Sequence, residues 1–216
     1  AEGIRGLLPV DFEMAREFGY RIKLLGVARC HREGQSERIE AHVHPTMIPA
    51  GSMLASVDAA MNAIEVRGDA VGTTLYYGAG AGELPTASAV VSDLMEIARE
   101  IRRGGSRPVA PLSYMPDHLV RKPLVPAGEH VGRCYLRFTA VDRPGVLSQI
   151  AGALGAQAVG IESVVQKSGG HAGAPVPILV LTHPTREDCL RRALEQIDAL
   201  PDVTAPSRLI RIDEER

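Results

Sequence analysis

A stretch rich in proline and glycine near the middle of the chain is the feature that most restricts the fold. Prolines recur throughout residues 104–129. Each proline lacks the backbone N–H that a helix needs as a hydrogen-bond donor, and it disfavours helical backbone angles at the residue before it. No alternation of polar and apolar residues long enough for a strand survives in this stretch. We therefore predict two domains, residues 1–103 and 130–216, joined by a linker over residues 104–129.

Composition and charge exclude several classes of protein. Of the 216 residues, 45% are hydrophobic and 23% are charged, which is typical of a globular chain. The net charge is −2 and no basic run occurs, so no nucleic-acid partner is expected. No apolar stretch reaches the roughly 18 residues of a membrane span, and no secretory signal begins the sequence. The 3 cysteines form no CxxC pair, which favours a reduced, cytoplasmic protein.

The part after the linker has a regular order of elements. The residue pattern predicts a strand, a helix, two strands, a helix and a last strand, at residues 133–141, 146–157, 161–167, 177–182, 186–200 and 208–212. This βαββαβ order is typical of a ferredoxin-like sandwich.

The part before the linker predicts a mixed sheet with few helices. A short helix follows Pro9, and strands are predicted at residues 20–28, 38–43, 63–68 and 73–77. A long helix begins near Pro85, because apolar residues then recur at helical spacing at Val90, Leu94, Ile97 and Ile101. The fold class expected for the whole chain is α+β.

A glycine-rich segment at residues 78–82 (GAGAG) follows a predicted strand and precedes the long helix. Glycines at such a junction let a ligand approach the backbone, and the start of a helix offers N–H groups to phosphate. The segment departs from both the dinucleotide fingerprint and the Walker loop, since no further glycine or Gly-Lys-Ser/Thr follows. Its spacing alone leaves open a ligand-binding loop and a tight turn required by packing.

Two further features are ambiguous in the same way. The segment DRPGV at residues 142–146 leads from a strand into a helix, whose N-terminus suits a carboxylate or phosphate but also occurs in any strand-to-helix turn. His42 and His44 face the same side of a strand, yet spacing ties no third ligand to them. We therefore predict no metal site.

Several blocks of the sequence resemble bacterial homoserine dehydrogenase in order and spacing. The longest is YGAGAGELPTASAV at residues 77–90, preceded by GYRIKLLGVA at 19–28 and VHPTMIP at 43–49. The DRPGVL segment at residues 142–147, on a βαββαβ frame, resembles an ACT domain, which many of these enzymes carry. The resemblance implies a homoserine dehydrogenase substrate and dimerisation domain followed by a regulatory ACT domain.

The resemblance implies an NAD(P)-dependent oxidoreductase that interconverts L-homoserine and L-aspartate 4-semialdehyde, on the route to threonine, methionine and isoleucine. In the family a nucleotide-binding Rossmann domain comes first, and its catalytic residues precede the blocks matched here. We therefore assign no catalytic residue and expect this C-terminal fragment to be inactive alone. For the cofactor, NADP or NAD, the resemblance places Gly82 against the dinucleotide, with Gly80 and Ala81 beside it.

The ACT resemblance implies an effector site at Asp142, Arg143, Gly145 and Val146, with threonine as the expected amino acid. ACT domains that bind an amino acid often carry Asn or Ser just before the second strand. This chain has Gly160 at that position, which offers no side chain to a ligand.

The family also implies a homo-oligomer, a dimer or a tetramer. Without a nucleotide domain, the apolar face of the long helix is expected to be exposed and to favour association. An alternative hypothesis is a free-standing ACT-type regulatory protein that senses an amino acid and acts on a partner enzyme.

Overall fold

The computed structural model describes residues 1–34, 36–105, 116–166 and 174–214. The chain forms two compact units, one made of Ala1–Ala50 with Pro123–Arg216 and the other of Gly51–Lys122. These units do not coincide with the predicted domains, because the first 50 residues pack with the C-terminal part. The cause is a strand pairing between distant segments, which local sequence patterns do not reveal.

The C-terminal part has the predicted βαββαβ order. Its elements are β5 (Val131–Val141), α3 (Val146–Ala156), β6 (Ile161–Gln166), β7 (Pro175–Thr182), α4 (Glu187–Asp198) and β9 (Val203–Ile212). A two-residue strand, β8 (Thr185–Arg186), pairs with the start of β5 and was not predicted. The four long strands lie in the order β9-β5-β7-β6 and are antiparallel, which confirms the ferredoxin-like frame.

A long hairpin from the N-terminal part extends this sheet. Its strands, β1 (Tyr20–Glu33) and β2 (Ser36–Pro49), are longer than predicted and pair along their whole length. β2 then pairs with β9 in parallel at two positions, Thr46 with Arg211 and Met47 with Ile212. The result is one mixed sheet in the order β1-β2-β9-β5-β7-β6, with β8 added on β5.

The central strands are buried on both faces, with a separate apolar core on each side. On one face, Leu136 and Phe138 of β5 and Val180 of β7 pack against α3 and α4. On the other face, Tyr135 joins residues of α1 (Pro9–Glu17), among them Met14. Neighbouring residues of a strand point to opposite faces, so the continuously apolar β7 suits its central place.

The second unit holds a hairpin and the long predicted helix. The hairpin consists of β3 (Met61–Gly68) and β4 (Gly72–Ala79), and the helix is α2 (Glu83–Arg102). None of the residues of α2 is buried, and the exposed fractions on its apolar face run from 49% at Ile97 to 71% at Ile101. The expected exposure of this face is confirmed. No helix among the described residues is long and apolar enough to cross a bilayer.

The end of the predicted linker is attached to the first unit. The backbone N–H of Ile39 on β2 donates to the carbonyl of Pro123 (2.9 Å), and the N–H of Val125 donates to the carbonyl of Ile39 (2.9 Å). One-turn 3₁₀ helices lie at Pro116–His118 and Ala127–Glu129. Residues 106–115 of the linker, and residues 167–173 between β6 and β7, lie outside the described residues.

Candidate functional site

The four residues predicted to bind an effector surround one pocket of about 380 Å³. The turn from β5 into α3 forms its floor, with Gln166 of β6 and Ile178 of β7 at its side; the lining is residues 141–147, Gln166 and Ile178. Sequence reasoning missed Gln166 and Ile178, because strand pairing brings them to the turn from positions far along the chain.

Gly145 determines the shape of this turn. Its φ of +94° lies in the left-handed region, which side chains other than glycine rarely adopt. A Cβ built on Gly145 would meet nothing within 4 Å, so the space beside it is open. From here α3 begins, and the N–H groups of its first turn lack intrahelical acceptors.

Polar side chains at the pocket carry both signs of charge. The Gln166 amide donates to Oδ1 of Asp142 (3.0 Å), and Nη2 of Arg143 donates to Oδ2 of Asp202 (2.6 Å). A carboxylate, a guanidinium, an amide and a helix N-terminus thus lie around one opening. This set is chemically suited to a zwitterion, whose carboxylate seeks N–H donors and whose ammonium seeks a carboxylate.

Gly160, the position where an effector-binding Asn or Ser would stand, is closely packed. A Cβ built there would lie 3.0 Å from Cδ2 and 3.4 Å from Cβ of His183, whose N–H donates to the Gly160 carbonyl (2.9 Å). A side chain at position 160 would crowd His183, so the local packing itself favours the glycine that departs from the amino-acid-binding pattern.

The predicted cofactor residues Gly80, Ala81 and Gly82 are exposed between β4 and α2. Gly80 has a packing reason for its identity, since a Cβ there would fall 1.3 Å from Nδ2 of Asn62. Gly82 has a conformational reason, since its φ is +125° at the start of α2. The tight-turn interpretation thus has geometric support, and contact with a dinucleotide stays a prediction.

His42 and His44 do face the same side of β2, but they have different partners. Their rings stack with centroids 4.2 Å apart and an interplanar angle of 8°. Nδ1 of His44 donates to Oγ1 of Thr46 (2.9 Å), and burial lowers the pKa of His44 to about 4. His44 is therefore a neutral core residue at pH 7.

His42 belongs instead to a cluster of imidazoles around a buried carboxylate. Oε1 of Glu40 accepts from Nε2 of His42 (2.9 Å) and Nδ1 of His130 (3.0 Å), and Oε2 accepts from Nε2 of His31 (2.7 Å). A hydrogen bond from His130, and to a smaller extent one from His42, holds the pKa of Glu40 far below its usual range. Glu40 and His42 are two residues apart and so face the same side of β2, which the sequence pattern could have indicated. His130 lies 90 residues from Glu40, and no local pattern links it to them.

The fold defines the class of this chain: it is an α+β protein, as predicted, in which an ACT-type βαββαβ frame is extended by a hairpin of the preceding segment. Residues 135–202 match the family model of the ACT domain, and residues 1–95 match that of homoserine dehydrogenase. Both matches lie within the predicted domains. The family resemblance is therefore confirmed: this chain is similar to the C-terminal part of homoserine dehydrogenases.

Individual relatives agree with the family matches over nearly the whole chain. The homoserine dehydrogenases of Neisseria gonorrhoeae and Pseudomonas aeruginosa are 45% and 42% identical over 98% and 99% of this chain, which covers 48% of each. A crystal structure of a homoserine dehydrogenase from Thiobacillus denitrificans is 44% identical with a TM-score of 0.81, over 99% of this chain and 47% of that one. The chain thus spans about half the length of the relatives that it matches.

Proposed function

We propose that this chain is part of a cytoplasmic homoserine dehydrogenase, which interconverts L-homoserine and L-aspartate 4-semialdehyde with NADP or NAD. The observation that carries the proposal is the likeness to homoserine dehydrogenases over 98–99% of the chain, in sequence and in fold. The match of residues 1–95 favours this enzyme over a free-standing ACT regulatory protein. The activity would serve the synthesis of threonine, methionine and isoleucine.

The 216 residues alone are proposed to be inactive, because the family's catalytic residues precede the blocks that match here. The test follows NADPH consumption with L-aspartate 4-semialdehyde, using the isolated chain and a longer product that carries this segment. Activity of the longer product only is expected. Turnover by the isolated chain would contradict the proposal.

We infer that residues 80–82 approach the dinucleotide in the whole enzyme. Ala81 is a better probe than its neighbours, because it is exposed and lacks the positive φ of Gly82. Ala81→Leu in the active enzyme should raise KM for NADPH with little change in thermal stability. The matched control is Ala98→Leu, at the far end of α2 and also exposed; an equal KM for both variants would contradict the contact.

We infer that the β5–α3 pocket binds an amino-acid effector, with threonine the first to test. The support is the pocket volume and the mixed charges of Asp142 and Arg143 beside the start of α3. Calorimetric titration with L-threonine should show binding and a raised Tm, because a ligand of the native state stabilises it. Arg143→Ala should weaken binding, whereas Arg186→Ala, a surface arginine likewise held by an aspartate, should not.

We further propose that this chain forms a homo-oligomer, a dimer or a tetramer. The exposed apolar face of α2 supports association with a second copy of the chain. Sedimentation of the isolated chain should show self-association, which Leu94→Lys should reduce and Glu96→Lys, on the same helix, should leave unchanged. A monomer at all concentrations would contradict this proposal.

A further inference from the structure

We propose that Glu40, His42 and His130 form a binding site for a divalent transition metal, with Zn²⁺ the preferred ion. One oxygen of Glu40 and one ring nitrogen from each histidine lie within 4.8 Å of one another. Two imidazoles and one carboxylate are a ligand set that Zn²⁺ commonly takes in proteins. The site is independent of the dehydrogenase proposal, since it uses none of the pocket or glycine-segment residues.

The two distances from Glu40 to the histidine nitrogens are close to those of a tetrahedral site, and all three ligand atoms lie within 4.8 Å of one another. With metal–ligand bonds of about 2.0–2.1 Å, neighbouring ligand atoms in a tetrahedral Zn²⁺ site are about 3.3 Å apart. Oε1 of Glu40 is 2.9 Å from Nε2 of His42 and 3.0 Å from Nδ1 of His130. Each distance needs to grow by only a few tenths of an ångström. On metal binding, the two imidazoles lose the protons that they now donate to Glu40.

The rings are held in place by packing on their sides away from the carboxylate. The ring of His42 stacks on the buried ring of His44. The ring of His130 meets the ring of His42 edge-on, with centroids 5.8 Å apart. Gly132 makes room for His130, because a Cβ at Gly132 would lie 3.0 Å from Nε2 of that ring. The backbone carbonyl of His130 also accepts from the N–H of Glu187 (2.8 Å). Ligands fixed in this way need little reorganisation to bind an ion.

Two further groups face the carboxylate from β1. His31 is exposed, and its Nε2 lies 2.7 Å from Oε2 of Glu40, which places a third imidazole nitrogen near the site. Arg29 is the unfavourable neighbour, with Nη1 3.6 Å from Oε1. Its guanidinium donates to Asp213 (2.5 Å), so its charge is largely offset by that carboxylate. The local charge therefore permits a cation.

Metal binding would link β2 to the residue that precedes β5. His42 lies in the segment that matches the homoserine dehydrogenase model, and His130 lies between that segment and the ACT match. A bound ion would therefore fasten the N-terminal hairpin to the ACT frame near their shared sheet. This predicts a stabilising site, because the ion would hold together ligands from two distant segments of the chain.

The test is calorimetric titration of the full chain, carrying no affinity tag, with ZnCl₂. We expect one Zn²⁺ per chain and a raised Tm. His42→Ala and His130→Ala should weaken binding by more than the roughly 10–100-fold that loss of an outer partner costs. The matched control is His118→Ala, an exposed histidine of the other unit, which should bind as the wild type does.

A second readout needs no variant and so survives a folding failure of His42→Ala or His130→Ala. Co²⁺ should give the intense visible absorption of four-coordinate cobalt, and Zn²⁺ should shift the imidazole resonances of His42 and His130 but not those of His118. Absence of Zn²⁺ and Co²⁺ binding by the wild type would overturn the proposal. Binding that His130→Ala leaves unchanged, in a folded variant, would overturn it equally.

Discussion

The carboxylate of Asp11 and the guanidinium of Arg137 form a buried ion pair, with Oδ1 and Nε 2.8 Å apart. Asp11 lies on α1 and Arg137 on β5, so the pair fixes the N-terminal helix to the ACT sheet. The hydroxyl of Tyr135 also donates to Oδ1 of Asp11 (2.9 Å), and the N–H of Leu8 donates to Oδ2 (2.8 Å). The carboxylate is therefore fully satisfied although it is 0% exposed.

Removing the arginine of this pair should destabilise the protein strongly. Arg137→Met leaves the Asp11 charge buried without its cation, which costs about 3–5 kcal/mol in the free energy of unfolding. Urea denaturation measures this loss. The control is Arg32→Met, because the pair of Arg32 with Glu37 is exposed and screened by water, so its loss should change the free energy of unfolding little. Similar losses in both variants would contradict the importance of the buried pair.

Acid should weaken the network around Glu2. Hydrogen bonds from Arg211 hold the pKa of Glu2 at about 2, below its ordinary value of 4.5. A carboxyl with a lowered pKa contributes stability that is present above 4.5 and is lost as the pH falls towards 2. Between pH 5 and 3, we expect Tm to fall less steeply in Glu2→Gln than in the wild type. Glu13→Gln, on the exposed side of α1, should keep the wild-type slope.

Two neighbouring glycines should respond differently to alanine. Gly82→Ala forces a side chain onto a φ of +125°, a strain of about 1–2 kcal/mol that no neighbour can relieve. Gly80→Ala displaces the exposed Asn62 side chain, which can turn away, so we expect a loss below about 1 kcal/mol. Thermal and urea unfolding rank the two variants. The double variant Gly80→Ala with Asn62→Ala should match Asn62→Ala alone; a larger loss would show that the backbone is involved.

The cysteines should differ in reactivity toward a thiol reagent. Burial raises the pKa of Cys134 to about 12, and only 2% of the residue is exposed, so it is both protonated and inaccessible. Cys30 is exposed on β1. Titration with a disulfide reagent should modify Cys30 in the native protein and Cys134 only after unfolding. Cys30→Ser is the control, and rapid modification of Cys134 in that variant would contradict the prediction.

That four residues of the candidate effector pocket lie together was predictable because they are local, whereas effector binding there stays a prediction. Asp142, Arg143, Gly145 and Val146 are consecutive or nearly so, and one strand-to-helix turn brings them together. Gln166 joins them only through the pairing of β6 with β7 and of β7 with β5. The metal-ligand cluster shows the same limit more strongly. Glu40 and His42 share a strand face, but no local pattern links them to His130.

The sequence by itself determined the long helices, the approximate positions of the long strands and the βαββαβ order, because apolar periodicity and turn residues act over a few positions. It did not determine the full length of β1 and β2 or the short strand β8. It also determined the family, through blocks that keep their order and spacing. Only the tertiary structure decided that β2 pairs with β9, and hence that residues 1–50 share a compact unit with the C-terminal part. The physical reason is that this pairing depends on hydrogen bonds and on two cores assembled from distant segments, whose register no local periodicity specifies.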